Sequence, residues 1–152
     1  MNHTRTRRTL KTLAVALGCL AVLLLIGHAA WAETKGDKHF QALTTDAKGI
    51  ETDVKNLIFY WEEKVSETAF VPHELREVPV KRGTATVKIK FEQIKHIDLK
   101  PSGNGALPNV TITLNDGKTG EFVLATAGSF KGQSDFGEVE IPAAELKKIV
   151  FK

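Results

Sequence analysis

VEIPAAELKKIVF, residues 139–151, has an echo 52 positions earlier in VKIKFEQIKHIDL, residues 87–99. Laid over one another without gaps, the two stretches pair Val87 with Val139, Ile89 with Ile141, Ile94 with Leu146, Lys95 with Lys147, Ile97 with Ile149 and Leu99 with Phe151. The matched positions are apolar apart from one lysine. Val139 and Ile141 alternate as one face of a strand, and Pro142 ends it because proline has no N–H to give a sheet ladder. Pro142-Ala143-Ala144-Glu145-Leu146 then suits one helical turn with proline at its start, and Ile149 and Phe151 alternate as a last strand. Strand, single turn, strand is the predicted closing unit, and the chain writes it twice.

Working outward, the rest of the chain from Phe40 shows no amphipathic helix of three or more turns. It shows short runs rich in Val, Ile, Phe and Thr that alternate with period two between turn residues, the pattern of strands. Val110-Thr111-Ile112-Thr113-Leu114 is the clearest run. Asn115-Asp116-Gly117-Lys118 follows it and leads into Glu121-Phe122-Val123-Leu124, a hairpin in which glycine takes the positive φ at no steric cost. Lys100 to Asn109, KPSGNGALPN, carries two prolines and two glycines and reads as a linker. It divides a first β unit, 40–99, from a second, 110–152, behind a polar and flexible segment, 33–39.

The front halves of the two units align in two ways. At the offset of 52, Phe70-Val71 falls on Phe122-Val123 and Val78 on Phe130. Alternatively Thr45-Asp46-Ala47-Lys48-Gly49 matches the Asp116-Gly117 turn, which leaves the first unit with an insertion around Glu62 to Arg76. The predicted fold is all-β: two tandem small barrel or roll units, free-standing or packed together as one β-sandwich. With its Asp-Gly hairpin, its Phe136-Gly137 pair and its strand-turn-strand ending, the second unit resembles SH3-like and Sm-like barrels. It is also similar to short β modules of exported bacterial proteins of unassigned function. The resemblance covers about 40 residues per unit and implies fold alone, since such barrels serve many roles.

The first 32 residues differ in kind. Arg5, Arg7, Arg8 and Lys11 precede an apolar run from Leu13 to Ile26, and Ala30-Trp31-Ala32 offers small residues where a signal peptidase needs them. Residues 1–32 are expected to be a signal peptide, with an uncleaved N-terminal anchor as the alternative. A lipoprotein reading of Ala16-Leu17-Gly18-Cys19 conflicts with the position of the longest apolar run, Leu20 to Ile26, after the cysteine. Thr6-Arg7-Arg8-Thr9-Leu10-Lys11 matches a twin-arginine signal only in part. Either main reading places the domain outside the cytoplasm, periplasmic or secreted, with membrane contact only through an uncleaved leader.

The leader holds four of the 21 basic residues and none of the 18 acidic ones, so the remaining chain has a net charge of about −1. The basic overall balance therefore belongs to the leader, and nucleic acid is excluded as a partner for want of a phosphate-neutralising face. The single cysteine, Cys19, also lies in the leader, so the exported domain has no disulfide, no thiol nucleophile and no thiolate metal site.

Candidate functional residues are few. Phe59-Tyr60-Trp61 is the densest aromatic cluster. Phe59 and Trp61 share a strand face and suit the core, whereas Tyr60, flanked by Glu62-Glu63, points outward and is the first candidate contact residue. Trp61 is retained beside it, since an exposed tryptophan could stack on a sugar or grip a peptide. His39, His73 and His96 are scattered, and His73-Glu74 lacks the second histidine of a helical zinc motif. Asp46, Glu51 and Asp53 lack the spacing and central glycine of a calcium loop. Asp135 and Glu138 flank Phe136-Gly137, but paired acids are recognised only by separation in space. No serine has a Gly-x-Ser-x-Gly setting, and Ser129 suits a turn. Neither cofactor nor metal is expected.

The repeat also predicts an electrostatic asymmetry. Lys81, Arg82, Lys88, Lys90 and Lys95 mark the first unit, whereas Glu138, Glu140 and Glu145 mark the second. Lys88 and Lys90 are thus candidate contact residues, either as solvated charges that protect a sheet edge or as a surface on which units or copies dock. The expected function is a non-catalytic binding or assembly module of the bacterial cell envelope whose partner is a protein or an envelope polymer. The alternative is a small carboxylate-dependent hydrolase acting on an envelope polymer. The sequence leaves the oligomeric state open.

Overall fold

The computed structural model describes residues 38–101 and 105–152. The predicted signal peptide and residues 33–37 fall outside the described residues. Residues 38–152 form one compact unit. Eleven strands run β1 (Ala42–Asp46), β2 (Glu51–Lys64), β3 (Phe70–Leu75), β4 (Glu77–Arg82), β5 (Ala85–Lys90), β6 (Ile94–Lys100), β7 (Asn109–Leu114), β8 (Thr119–Leu124), β9 (Ser129–Ser134), β10 (Gly137–Pro142) and β11 (Leu146–Phe151). The predicted single turns are 3₁₀ turns, Phe91–Gln93 between β5 and β6 and Ala143–Glu145 between β10 and β11. Ser129, expected in a turn, instead opens β9, opposite Tyr60 and Pro142.

All strand pairs are antiparallel and form one open sheet in the order β10-β9-β2-β1-β11-β6-β7-β8-β4-β5, with β3 paired to β2. This path reads the same from either end once β1 is matched with β7, β2 with β8, β4 with β9, β5 with β10 and β6 with β11. The halves meet where β11 pairs β6, and there Ile149 lies opposite Ile97, the two residues related by the repeat. Lys148 opposite Asp98 and Val150 opposite His96 exchange places under the same relation. A two-fold pseudo-axis therefore passes through the Ile97–Ile149 pair. Backbone bonds repeat with it. Phe91 N–H donates to Arg76 O at 3.0 Å and Ala143 N–H to Gly128 O at 2.9 Å, while Ala47 N–H donates to Glu145 O at 2.8 Å and Asn115 N–H to Gln93 O at 2.9 Å.

The repeats are interlocked. β1 of the first pairs with β11 of the second, β2 with β9, β8 with β4, and β7 with β6. Each half of the sheet path is thus a hairpin from one repeat completed by three strands of the other. Of the two front-half alignments, the turn match holds. The β1–β2 turn, with Asp46 Oδ1 accepting from Lys48 and Ile50 N–H and Gly49 at φ +83°, corresponds to the β7–β8 turn, with Asp116 Oδ1 accepting from Lys118 N–H and Gly117 at φ +87°. The segment from Glu62 to Arg76, which holds the end of β2 and all of β3, is the insertion.

One core serves both halves, and Phe91 ties them together. It replaces Ala143 of the other repeat and packs on Phe40 (5.6 Å between ring centres), Phe151 (5.1 Å) and Phe130 (6.4 Å), while Phe130 meets Phe59 edge-on at 5.3 Å. In β2 the alternation changes face. Val54 is buried, then Leu57 and Phe59 are, because an extra residue bulges the strand and Asn56 sits there at φ +55°. Asparagine tolerates this left-handed conformation better than other side chains. The bulge turns Leu57, Phe59 and Trp61 inward and Ile58, Tyr60 and Glu62 outward.

Candidate binding face

The outward side of β3-β2-β9-β10 gathers residues that are far apart in sequence. Directly opposed residues of neighbouring strands share a face, so Ile58 lies beside Lys131, Lys131 beside Glu140, Tyr60 beside Glu74, and Gln133 beside Glu138. Asn56, Ile58, Glu74, Lys131, Gly132, Gln133 and Glu138 line a cavity of about 290 Å³. Gly132 lies beneath it with its missing side chain on the inner face, where a Cβ would stand 2.4 Å from Val54 Cγ1. A Cβ there would stand 2.5 Å from the Lys55 carbonyl oxygen, so the backbones of β9 and β2 approach too closely for any other residue.

Tyr60 stands at the edge of this cavity, half-buried. The Lys131 ammonium lies 3.4 Å from the centre of its ring and 3.2 Å from Glu140 Oε2, so the ring face holds a cation that a carboxylate also holds. The Tyr60 hydroxyl donates to Glu62 Oε1. That bond, supported by desolvation and by the negative charges of Glu62, Glu140 and Glu74, holds the Tyr60 pKa above its ordinary value of 10.0. Glu62, Glu74, Glu138 and Glu140 are exposed around Lys131. Lys55 on the same side is paired with Asp135 and Lys64 stands at the far end of β2, so the surroundings of Tyr60 present negative charge to solvent.

Trp61 packs on the other side of the same strand. It lies against the core and stacks on His73, 4.4 Å between ring centres and 11° between planes. His73 Nε2 is 3.1 Å from Glu63 Oε2. Trp61 thus fastens β3 to β2 and stands on the opposite face from Tyr60. Lys88 and Lys90 lie on β5, at the far end of the sheet path, where Lys88 Nζ is 3.6 Å from Glu77 Oε1. The four residues singled out in the sequence therefore occupy three places: Tyr60 on the concave face, Trp61 inside the hairpin, and both lysines on the opposite edge.

Lys131, Glu74, Glu138 and Glu140 join Tyr60 only through strand pairing. The one sequence signal for part of this group is the offset of 52, which sets Glu140 against Lys88. Of the histidines, His39 is exposed, and His96 is half-buried 3.4 Å from Asp98. Asp135 bonds Lys55 at 2.9 Å, which raises the Lys55 pKa. Asp53 accepts from Lys152 and Gln41, and these bonds, the Lys152 one foremost, hold its pKa below 3.8. Among the described residues no group of three or more His, Cys, Asp or Glu could hold a metal ion, and no helix is long and apolar enough to cross a membrane.

A family model described as "Uncharacterised protein" matches residues 36–152. The chain belongs to this family. The match spans both repeats and the insertion, so the interlocked strands and the concave face lie wholly inside it. No curated protein and no solved structure matches.

Proposed function

We propose that the protein is an exported, non-catalytic binding module of the cell envelope, and that it takes a basic segment of a partner protein on the β3-β2-β9-β10 face. The observation that carries this reading is the Lys131 ammonium seated between the Tyr60 ring and Glu140. The chain's own lysine occupies a site suited to lysine or arginine, and Glu62, Glu74 and Glu138 extend the negative rim beyond it. A cation held by an aromatic face and a carboxylate is selected by charge and shape together. The finer architecture we propose is two small rolls, one built from β1, β2, β9, β10 and β11 and the other from β7, β8, β4, β5 and β6.

Affinity capture from the envelope fraction tests the reading, with the protein purified after export as bait beside Tyr60→Ala and Glu140→Gln variants. A partner recovered by the unaltered protein at low salt, reduced by both variants and released by added salt, is the expected result. Equal recovery by all three baits overturns it.

The hydrolase reading has one observation in its favour: two carboxylates, Glu74 and Glu138, line the cavity. Both are exposed to solvent. A general acid for glycoside or peptide cleavage draws its raised pKa from an apolar, enclosed setting, which this face does not offer. Cleavage of a polymer panel, lost in both Glu74→Gln and Glu138→Gln, would replace the binding reading with this one.

A further inference from the structure

The two ends of the sheet path are matching edges. Among the described residues β5 pairs only with β4 and β10 only with β9. Hydrogen-bond phase follows from the turns that continue these hairpins. Phe91 bonds Arg76, and Ala143 bonds Gly128. In antiparallel ladders bonded pairs alternate, so Ala85, Val87 and Ile89 bond inward to β4, and Gly137, Val139 and Ile141 bond inward to β9. The outward backbone groups consequently belong to Thr86, Lys88 and Lys90 on one edge, and to Glu138, Glu140 and Pro142 on the other. One edge is basic and the other acidic.

Like edges cannot join. Two β5 strands would oppose lysines, two β10 strands would oppose glutamates, and repulsion of this kind is how sheet proteins protect their edges. Unlike edges fit in a single antiparallel register. With Lys88 opposite Glu140, Lys90 falls opposite Glu138, and both pairs lie on one face. On the other face Val87, which is 38% exposed, falls opposite Ile141, and Ile89 falls opposite Val139. Thr86 then meets Pro142, which can accept a bond but not donate one. Lys88 and Glu140 are exposed although their existing partners, Glu77 and Lys131, are half-buried, and a surface pair of this kind contributes little to stability.

We propose that copies of the chain join head to tail, the β5 edge of one on the β10 edge of the next. The contact uses different surfaces on the two copies, so it propagates into a ring or filament and does not close as a two-fold dimer. It shares Glu140 with the cation site on Tyr60, and the Lys88→Glu/Lys90→Glu form, which leaves that site unaltered, tells the two apart.

Sedimentation of the purified exported protein over a concentration series tests this, with two charge-reversed forms, Lys88→Glu/Lys90→Glu and Glu138→Lys/Glu140→Lys. The expected result is association of the unaltered protein at low salt, loss of association in each reversed form alone, and its return when the two forms are mixed. A milder form, Lys88→Gln/Lys90→Gln, is expected to weaken association by about tenfold, since two opposite-charge cross-strand pairs are lost. A monomeric unaltered protein at millimolar concentration and low salt overturns the proposal, as does unchanged association in the milder form.

Discussion

The two halves of the sheet share one plan and differ at one flank. Both contain a hairpin with an Asx turn, two further strands, a 3₁₀ turn and a closing strand. On the half that contains β2, an extra residue at Asn56 turns the strand face, β3 is added, and an acidic concave face with Tyr60 and Lys131 results. On the other half Ala127 stands where Tyr60 would, buried Pro79 where Lys131 would, and Lys88 where Glu140 would. Apart from Phe91 against Ala143, the duplicated positions are those that build the core, and the exposed positions that broke the duplication are those with chemistry to offer. Function is accordingly sought on the half that changed.

The largest expected effect comes from the residue that belongs to both halves. Phe91→Ala leaves Phe40, Phe130 and Phe151 facing a void and should cost about 3–5 kcal/mol, lowering the denaturant midpoint of a single unfolding transition. Two separated transitions would instead show that the halves unfold independently. Next is the bulge. Asn56→Val forces a β-branched residue to positive φ and should cost about 1–3 kcal/mol, whereas Asn56→Gly should change stability by only a few tenths. Equal effects would mean that the face change of β2 does not depend on that conformation.

Two pH measurements sharpen the comparison with smaller effects. Tyr60 is the only tyrosine, so the ultraviolet absorbance of tyrosinate reports on this face alone. Its midpoint should lie above 10.0 and fall toward that value in Glu62→Gln. A pKa raised on folding adds stability that is complete below the unfolded value and is lost as pH rises through the folded one, so the Glu62 variant should differ least from the unaltered protein at strongly alkaline pH. Asp53 is the opposite case. Its pKa is depressed, so its contribution is complete above about 3.8 and is lost as pH falls through the lower folded value. Asp53→Asn should therefore melt earlier near neutrality and match the unaltered protein in strong acid.

Much of the fold was legible in the sequence, and the reason is local. The alternation at Val139 and Ile141, the Pro142 break and the Asp116-Gly117 turn each rest on neighbouring residues, and each recurs at its place. The echo of 52 positions located the repeat, and the pseudo-axis at Ile97 and Ile149 is its consequence. Which repeat each strand pairs with is different. β1 could be paired to β11 or to β6 with equal local logic, because the pairing residues of those strands are the repeated ones. The candidate site shares this limit. Tyr60 was marked by its outward phase, but Lys131, Glu74, Glu138 and Glu140 reach it only after β2 has chosen β9.

That choice of partner sends β5 and β10 to opposite ends and brings Lys131 to Tyr60. It is tested directly by engineered disulfides, because residues 33–152 contain no cysteine. Thr45 lies opposite Lys148 on β11, whose counterpart in the other repeat is His96 on β6. Directly opposed Cα atoms stand about 5 Å apart, within disulfide reach, whereas residues two strands apart stand about 10 Å apart and beyond it. The interlocked fold predicts that Thr45→Cys with Lys148→Cys forms an intramolecular disulfide, and that Thr45→Cys with His96→Cys does not. Cross-linking of the second pair in place of the first would contradict it.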